Sequence, residues 1–237
     1  MTVKQEQADR LSFLGISHIG ESHIKKGSQN QDAIAFNLFG DSFFIAVSDG
    51  LGSCKRSHIG AQTAVSLCNE IFLKVMDNHL DFLPNVIVDE ILALWLKSFS
   101  EAELKEYSAT LKAVFLKDGT IIAVSIGDGF LFIQTNGKIH TLEGKGGDFV
   151  NETECLSYAL KESDVKTLKL SKGNELSILL CTDGISSSIT DGMEQAFFEE
   201  ISAIDDIKDL QDQLIAMLSE ISKVNTDDKT IGIVKNA

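Results

Sequence analysis

The chain has 237 residues, of which 43% are hydrophobic and 24% are charged. This composition is typical of a folded globular protein, and it excludes the disordered, collagen-like and disulfide-scaffold classes. Lysine and arginine number 21 against 35 aspartate and glutamate residues, which gives a net charge of −14. We therefore expect neither nucleic acid nor an anionic membrane as a partner, because both bind to basic surfaces.

The cysteine and histidine pattern predicts free thiols. No two of the four cysteines lie at CxxC spacing and the five histidines are scattered, so a zinc site is not expected. The first ten residues, MTVKQEQADR, lack the apolar core of a signal peptide, and no apolar run reaches the length of a membrane span. These features favour a cytoplasmic protein.

The first half of the chain changes from predicted strands to predicted helices. Residues 1–10 are polar and are expected to form a mobile tail before a single domain over residues 11–237. Short apolar segments then predict three strands, with a tight turn at FGDS between the last two, at 11–17, 33–39 and 42–48. Apolar residues spaced three and four apart predict two helices, at about 57–78 and 85–107.

The second half returns to strands. Four are predicted in succession, at 110–116, 120–127, 130–135 and 138–142. The segments KDG, GDG and TNG between them predict three antiparallel hairpins. The remaining elements are strands at 165–170 and 176–182, a helical region at 191–223 and a last strand at 230–234. Since strands and helices come in blocks, we predict an α+β fold with mainly antiparallel sheets.

Three of the apolar strands end in the same pair of residues, Asp-Gly. The pairs are Asp49-Gly50, Asp128-Gly129 and Asp183-Gly184. Two further acidic positions flank strands: Asp32 precedes the second strand, and Asp227-Asp228 precedes the last. Asp-Gly is common in turns, and turn chemistry alone is one interpretation. Three pairs at the ends of buried strands instead predict carboxylates gathered at one sheet edge, where they repel each other unless a cation neutralises them.

The ligand type indicates which cation and which chemistry to expect. Carboxylate and carbonyl oxygens favour Mg²⁺ or Mn²⁺, with Ca²⁺ as a competitor. Two such ions can activate a shared water and hold a phosphoryl group for in-line attack. The sequence has no G-x-S-x-G nucleophile motif and no Walker loop, and GKGGD at 144–148 is a weak phosphate-loop signal. The pattern predicts a phosphoester hydrolase whose nucleophile is a metal-bound hydroxide.

Five segments in order resemble the motifs of metal-dependent protein phosphatases of type 2C: NQDAIAF, AVSDGLGS with GAQTA, SIGDG, LLCTDGI and DDKTIGIV. Together with FVNET, they look most similar to the compact bacterial branch, over about residues 12–235. The resemblance implies a four-layer α-β-β-α sandwich with two central, mainly antiparallel sheets. It also implies hydrolysis of phosphoserine or phosphothreonine, on substrates of a cognate serine/threonine kinase, at a binuclear Mg²⁺ or Mn²⁺ centre.

The resemblance also implies roles for single residues. Asp49 would bridge both ions, and the Gly50 carbonyl would ligate one of them. Asp183 and Asp227 would hold the ion on the other side. Asp128, with Asp183, would hold a third and looser ion. The remaining acids would act less directly: Asp32 would act through metal-bound water, and Asp228 would support the ligands.

The chain departs from the family pattern at three positions. Gln31 stands where the family often has a glutamate. It is expected to support the ligands, but it lacks the negative charge of a glutamate. The phosphate-gripping arginine falls at Gly27, so Lys26 or Lys25 is expected to bind the substrate phosphate as a point charge. Leu51 replaces a frequent histidine, which leaves protonation of the leaving group to water or another group; His23 and His58 are candidates, although loop and surface roles are simpler. A weakly active or inactive regulatory binding module therefore remains an alternative, and an acidic Ca²⁺-binding domain is a third hypothesis.

Overall fold

The computed structural model describes residues 1–8, 11–142, 154–157 and 159–236. Its strands and its α-helices are each numbered in chain order. The strands are β1 (Thr2–Ala8), β2 (Leu11–His18), β3 (Asp32–Phe39), β4 (Ser42–Asp49), β5 (Leu111–Lys117), β6 (Thr120–Ile126), β7 (Phe130–Thr135), β8 (Lys138–Thr141), β9 (Lys166–Ser171), β10 (Leu176–Cys181) and β11 (Lys229–Asn236). The α-helices are α1 (Glu21–Lys26), α2 (Ser57–Met76), α3 (Pro84–Ser98), α4 (Asp183–Ser186), α5 (Glu194–Ala203) and α6 (Ile207–Ile221).

Two antiparallel sheets lie face to face. One has the strand order β1-β2-β11-β10-β7-β8 and the other β3-β4-β5-β6-β9. Their inner faces meet in an apolar core that includes Phe13, Ile45 and Ile178. Each outer face is covered by helices, since Phe72 of α2 and Phe198 of α5 belong to separate outer clusters. The four-layer α-β-β-α architecture is therefore confirmed.

Two-residue turns fix the register of three hairpins. Gly40-Asp41 joins β3 to β4, Asp118-Gly119 joins β5 to β6, and Asn136-Gly137 joins β7 to β8. In the last two turns both residues have positive φ, from 48° to 73°, as a type I′ turn requires. The hairpins predicted at KDG and TNG are therefore confirmed.

The hairpin predicted at GDG is wrong. β6 belongs to the five-stranded sheet and β7 to the six-stranded one, so the chain crosses between the sheets here. Gly127 and Gly129 make the crossing possible with φ values of 82° and 89°. Gly129 also passes so close to β10 that a Cβ atom would lie 2.3 Å from the Cys181 carbonyl oxygen. A hairpin turn and a crossing between sheets can have the same local residues, and only the packing of the two sheets shows which of the two is present.

The predicted N-terminal tail is also wrong over Thr2–Ala8. These residues form the exposed edge strand β1, which pairs with β2 along its whole length. Backbone hydrogen bonds do not depend on side-chain polarity, so a polar segment can extend a sheet at its edge. Lys4 additionally donates from Nζ to the Ile34 carbonyl oxygen of β3, at 3.0 Å, and so connects the edges of the two sheets.

The helix predictions needed three further corrections. The second helix ends at Ser98 instead of about residue 107, because Phe99 is extended and stacks on Tyr107, with ring centroids 3.9 Å apart. The region 191–223 contains two helices, and the Asp206 side chain caps the second by accepting from the Lys208 and Asp209 backbone N–H groups. The short helices α1 and α4 were not predicted. Among the helices described, none combines the length and hydropathy that a membrane span requires.

Candidate active site

Two of the predicted acids lie directly opposite each other at one end of the β3–β4 hairpin. Asp32 begins β3 and Asp49 ends β4, and the two are register partners. Asp32 is buried, and its Oδ2 accepts a hydrogen bond from Thr182 Oγ1 at 2.8 Å. Like charges directly opposite across two strands destabilise a sheet, so it is unfavourable for both carboxyl groups to be ionised at once.

The acids from the other sheet converge because β10 and β11 are antiparallel neighbours. Asp183 follows the end of β10, and Asp227 and Asp228 precede the start of β11, so the three residues come from adjoining strand ends. Gly184 permits the close approach, since a Cβ there would lie 1.8 Å from the Asp228 carbonyl oxygen. A larger residue would push the two acidic segments apart.

A cavity of about 180 Å³ opens between these strand ends. Four of the predicted acids line it, namely Asp49, Asp128, Asp183 and Asp227. The rest of its lining is formed by His23, Gln31, Gly50, Leu51, Gly52 and Thr110. Four acidic strand ends that are far apart in sequence therefore come together around one space.

Burial and the charges of neighbouring carboxylates raise the pKa values of three acids at this site. Burial raises the pKa of Asp32 to about 7, with the hydrogen bonds from its neighbours offsetting part of the effect. Burial, followed by the charges of Asp32 and Asp183, holds the pKa of Asp49 well above its usual range. Burial and the charges of Asp128 and Asp227 raise the pKa of Asp183 to about 6. A cation in the cavity would therefore make ionisation of these carboxyl groups more favourable.

The donor set fits hard divalent cations. Asp32 Oδ1 is buried and has no hydrogen-bond partner in the described part of the chain, which is unusual for a carboxylate oxygen. Four of the ten residues that line the cavity carry carboxylates, the ligand type that Mg²⁺ and Mn²⁺ prefer. Within the described residues, no three His, Cys, Asp or Glu side chains are placed to hold an ion by themselves. An ion here would also need backbone or water oxygens, which Mg²⁺ commonly retains.

Asp228 ties the loops around the cavity together. It is 2% exposed and accepts hydrogen bonds from the Gly20 and Gln31 backbone N–H groups, each at 2.6 Å. Its Oδ2 also lies 2.9 Å from His23 Nδ1. Through these three contacts, the start of β11 fixes both α1 and the residue before Asp32. The sequence placed Asp228 behind the ligands but missed its link to His23.

A basic cavity of about 260 Å³ adjoins the acidic one. The two share His23, Gln31 and Gly52, and Lys26 and Lys55 also line the basic one. Neither lysine has an ion-pair partner among the described residues. Lys25 instead pairs with Glu21 on the exposed surface of α1, at 2.8 Å, and does not line either cavity. Of the two predicted phosphate-binding lysines, only Lys26 is therefore beside the site.

Sequence reasoning missed a buried cation behind the site. Lys112 of β5 is 1% exposed, and its Nζ donates to Ser125 Oγ at 2.9 Å and to the Gly127 carbonyl oxygen at 2.5 Å. Burial lowers its pKa to about 8. Through these two hydrogen bonds, Lys112 fixes the segment that leads into Asp128. A lone lysine in the otherwise apolar run TLKAVFL was the available signal.

The segments GKGGD and FVNET lie outside the described residues.

Comparisons with known proteins agree on one family. A sequence model of the family described as protein phosphatase 2C matches residues 19–219. No curated protein sequence matches the chain. The fold is similar to RsbX in complex with magnesium, with a TM-score of 0.72, 14% identity and full coverage of both chains.

Two serine/threonine phosphatases have the same fold. The catalytic domain of PstP, in complex with two manganese ions, gives a TM-score of 0.65 at 16% identity, over 96% of this chain and 99% of that one. Stp1 from Staphylococcus aureus gives 0.66 at 15% identity, over 98% of this chain and 97% of that one. At these identities the structures establish the fold, and the sequence model, which matches most of the chain, establishes the family. The chain belongs to the protein phosphatase 2C family.

Proposed function

We propose that the chain is a Mg²⁺- or Mn²⁺-dependent phosphatase that removes phosphate from phosphoserine and phosphothreonine in proteins, with residues 11–237 acting as one catalytic domain. The observation that carries the proposal is the cavity at which the acidic strand ends meet, next to Lys26 and Lys55, which form no ion pair within the described part of the chain. Acids that would hold divalent cations, beside these two lysines, form a site suited to a phosphate dianion. The magnesium and manganese in the RsbX and PstP structures support the same cofactors here.

In this proposal each acidic segment has a distinct task. Asp49, Asp183 and Asp227, with the Gly50 carbonyl, would hold two ions, and Asp128 would contribute with Asp183 to a third, looser position. The ions would supply Lewis acidity toward water and phosphate. Asp32 acts from behind the cavity through bound water, and its unpartnered Oδ1 is the available acceptor. Two further side chains orient these groups, Gln31 and Asp228.

The substrate phosphate would approach from the basic cavity. In a chain with a net charge of −14, most of the surface repels a phosphoprotein. Lys26 is the proposed local attraction, and it binds phosphate as a point charge. The physiological partner would be a protein phosphorylated by a cognate serine/threonine kinase.

The test is hydrolysis of p-nitrophenyl phosphate and of a phosphothreonine peptide during Mn²⁺ titration. Asp49→Asn should reduce turnover of both by at least about 10²-fold, because it removes a carboxylate that would hold the ions. Asp41→Asn, on the same hairpin but exposed at its turn, is the matched control and should behave like the wild type. Equal activity of the wild type and Asp49→Asn at saturating Mn²⁺ would contradict the proposal.

A regulatory binding module is the second candidate function. It is favoured by Gln31 and Leu51 in the lining of the acidic cavity, where the family often has glutamate and histidine. Such a module would bind a phosphopeptide in calorimetry with Mn²⁺ present but release no inorganic phosphate. Release of phosphate that requires Asp49 would exclude it. Tighter binding of Ca²⁺ than Mn²⁺ in the same titration would instead favour a calcium-binding domain.

A further inference from the structure

His23 occupies a fixed position at the boundary between the two cavities. It lies on α1, is 12% exposed in its side chain, and lines both the acidic and the basic cavity. A surface histidine on a six-residue helix would ordinarily be free to rotate. Here the ring is held by Asp228, which is part of a different strand and lies 205 positions away in sequence.

The contact with Asp228 occupies Nδ1 of His23 and so leaves Nε2 as the ring nitrogen that could act in the site. An ionised carboxylate can only accept, so the 2.9 Å contact makes Nδ1 the donor. Asp228 is itself fixed by the Gly20 and Gln31 backbone N–H groups. Within the described residues, Nε2 has no hydrogen-bond partner. In the imidazolium form both ring nitrogens carry a proton, so Nε2 then has one to transfer.

The chemistry of the site leaves a task for this proton. Loss of a serine alkoxide from phosphorus is difficult unless the oxygen is protonated as the bond breaks. Leu51, which lines the same acidic cavity, has no proton to give. Lys26 and Lys55 line the basic cavity and are assigned to electrostatic binding of the phosphate. His58, the other histidine considered, does not line either cavity.

We propose that His23, oriented by Asp228, is the general acid that protonates the leaving serine or threonine oxygen; this role rests on the proposed phosphatase function. A water oxygen forms the new bond to phosphorus, and the bond between phosphorus and the side-chain oxygen breaks. The proton on Nε2 goes to that oxygen, which leaves as a neutral hydroxyl. The proton lost by the water returns the imidazole to its charged form through solvent, so the products are inorganic phosphate and the dephosphorylated protein.

The test compares leaving groups in His23→Gln, with His58→Gln as the matched control. Nitrophenolate leaves without a proton, whereas a serine alkoxide does not. His23→Gln should therefore lose about 10²-fold or more in kcat on a phosphoserine peptide and change little on p-nitrophenyl phosphate, while His58→Gln should change neither. Equal losses on both substrates would show a structural role and overturn the proposal, as would a selective loss in His58→Gln. A wild type inactive on both substrates would overturn the proposed function itself.

A second measurement does not depend on activity. Long-range proton–nitrogen NMR of the imidazole in the full chain should show Nδ1 of His23 protonated. Asp228→Asn should weaken this preference, since an amide can also donate. An Nδ1 without a proton in the wild-type chain would contradict the orientation on which the role depends.

Discussion

The Asp32–Asp49 pair predicts that removing a carboxylate makes the metal-free protein more stable. Asp32→Asn keeps the shape of the side chain and its acceptor for Thr182 Oγ1. Its new N–H group can donate toward Asp49, the register partner. The substitution therefore removes a carboxylate whose ionisation is opposed mainly by burial, and it leaves few polar atoms unpaired, so we expect a gain in the free energy of unfolding.

The magnitude follows from the pKa of Asp32. Because this pKa is raised from 3.8 to about 7, the folded state opposes ionisation. The opposition corresponds to about 4 kcal/mol, since a tenfold change in a protonation equilibrium is worth about 1.4 kcal/mol. For an acid with a raised pKa, the penalty is full above about pH 7 and shrinks as the pH falls toward 3.8. Asp32→Asn should thus gain at most about 4 kcal/mol at pH 8 and about 2 kcal/mol at pH 5.5.

Urea unfolding with a chelator present measures this difference, and the single tryptophan, the buried Trp95, is a convenient fluorescence probe. Asp41→Asn is the control and should change the unfolding free energy little at either pH. With excess Mn²⁺ the order should reverse, because the proposed ions stabilise the wild-type carboxylates. A destabilised Asp32→Asn at pH 8 without metal, or a gain that does not shrink at pH 5.5, would refute the electrostatic reasoning.

Three further predictions use other assays. Lys26→Gln should raise KM for a phosphothreonine peptide about fivefold with kcat nearly unchanged, as expected for loss of about 1 kcal/mol of point-charge binding; Lys25→Gln, which alters only the Glu21 pair, should leave KM unchanged. Gly184→Ala should lower the free energy of unfolding by about 1–3 kcal/mol or more, because the new methyl group meets the Asp228 carbonyl; unchanged urea curves would contradict this. A thiol reagent should modify only the partly exposed Cys54 and Cys155 in the native protein. The buried Cys68 and Cys181, the latter with a pKa raised by burial to about 12, should react only after unfolding, and four rapid reactions in the native state would disprove the packing.

Much of the site was predictable because its chemistry is local. Each Asp-Gly pair follows an apolar strand, and the end of a buried strand is where a carboxylate can reach a cavity. Even the contact between Asp32 and Asp49 is implicit in the sequence. A two-residue turn at Gly40-Asp41 fixes the register of the hairpin and therefore places these two acids opposite each other.

Other features depended on contacts that no local pattern contains. The segment GDG has the composition of a hairpin turn but carries the chain from one sheet to the other, since the strands on either side pair with different neighbours. The choice between Lys25 and Lys26 depends on the short helix α1, whose position is set by the contacts of Asp228 with Gly20 and His23.

The amino-acid sequence by itself determined the layered α+β class, the family and the acidic residues at the strand ends, because apolar periodicity and turn residues act over a few positions. The tertiary structure alone decided which lysine faces the site, that Lys112 lies buried behind Asp128, and that His23 is held by Asp228. These contacts join residues from separate elements. Their geometry follows from the packing of two sheets against each other, which depends on all the core residues at once.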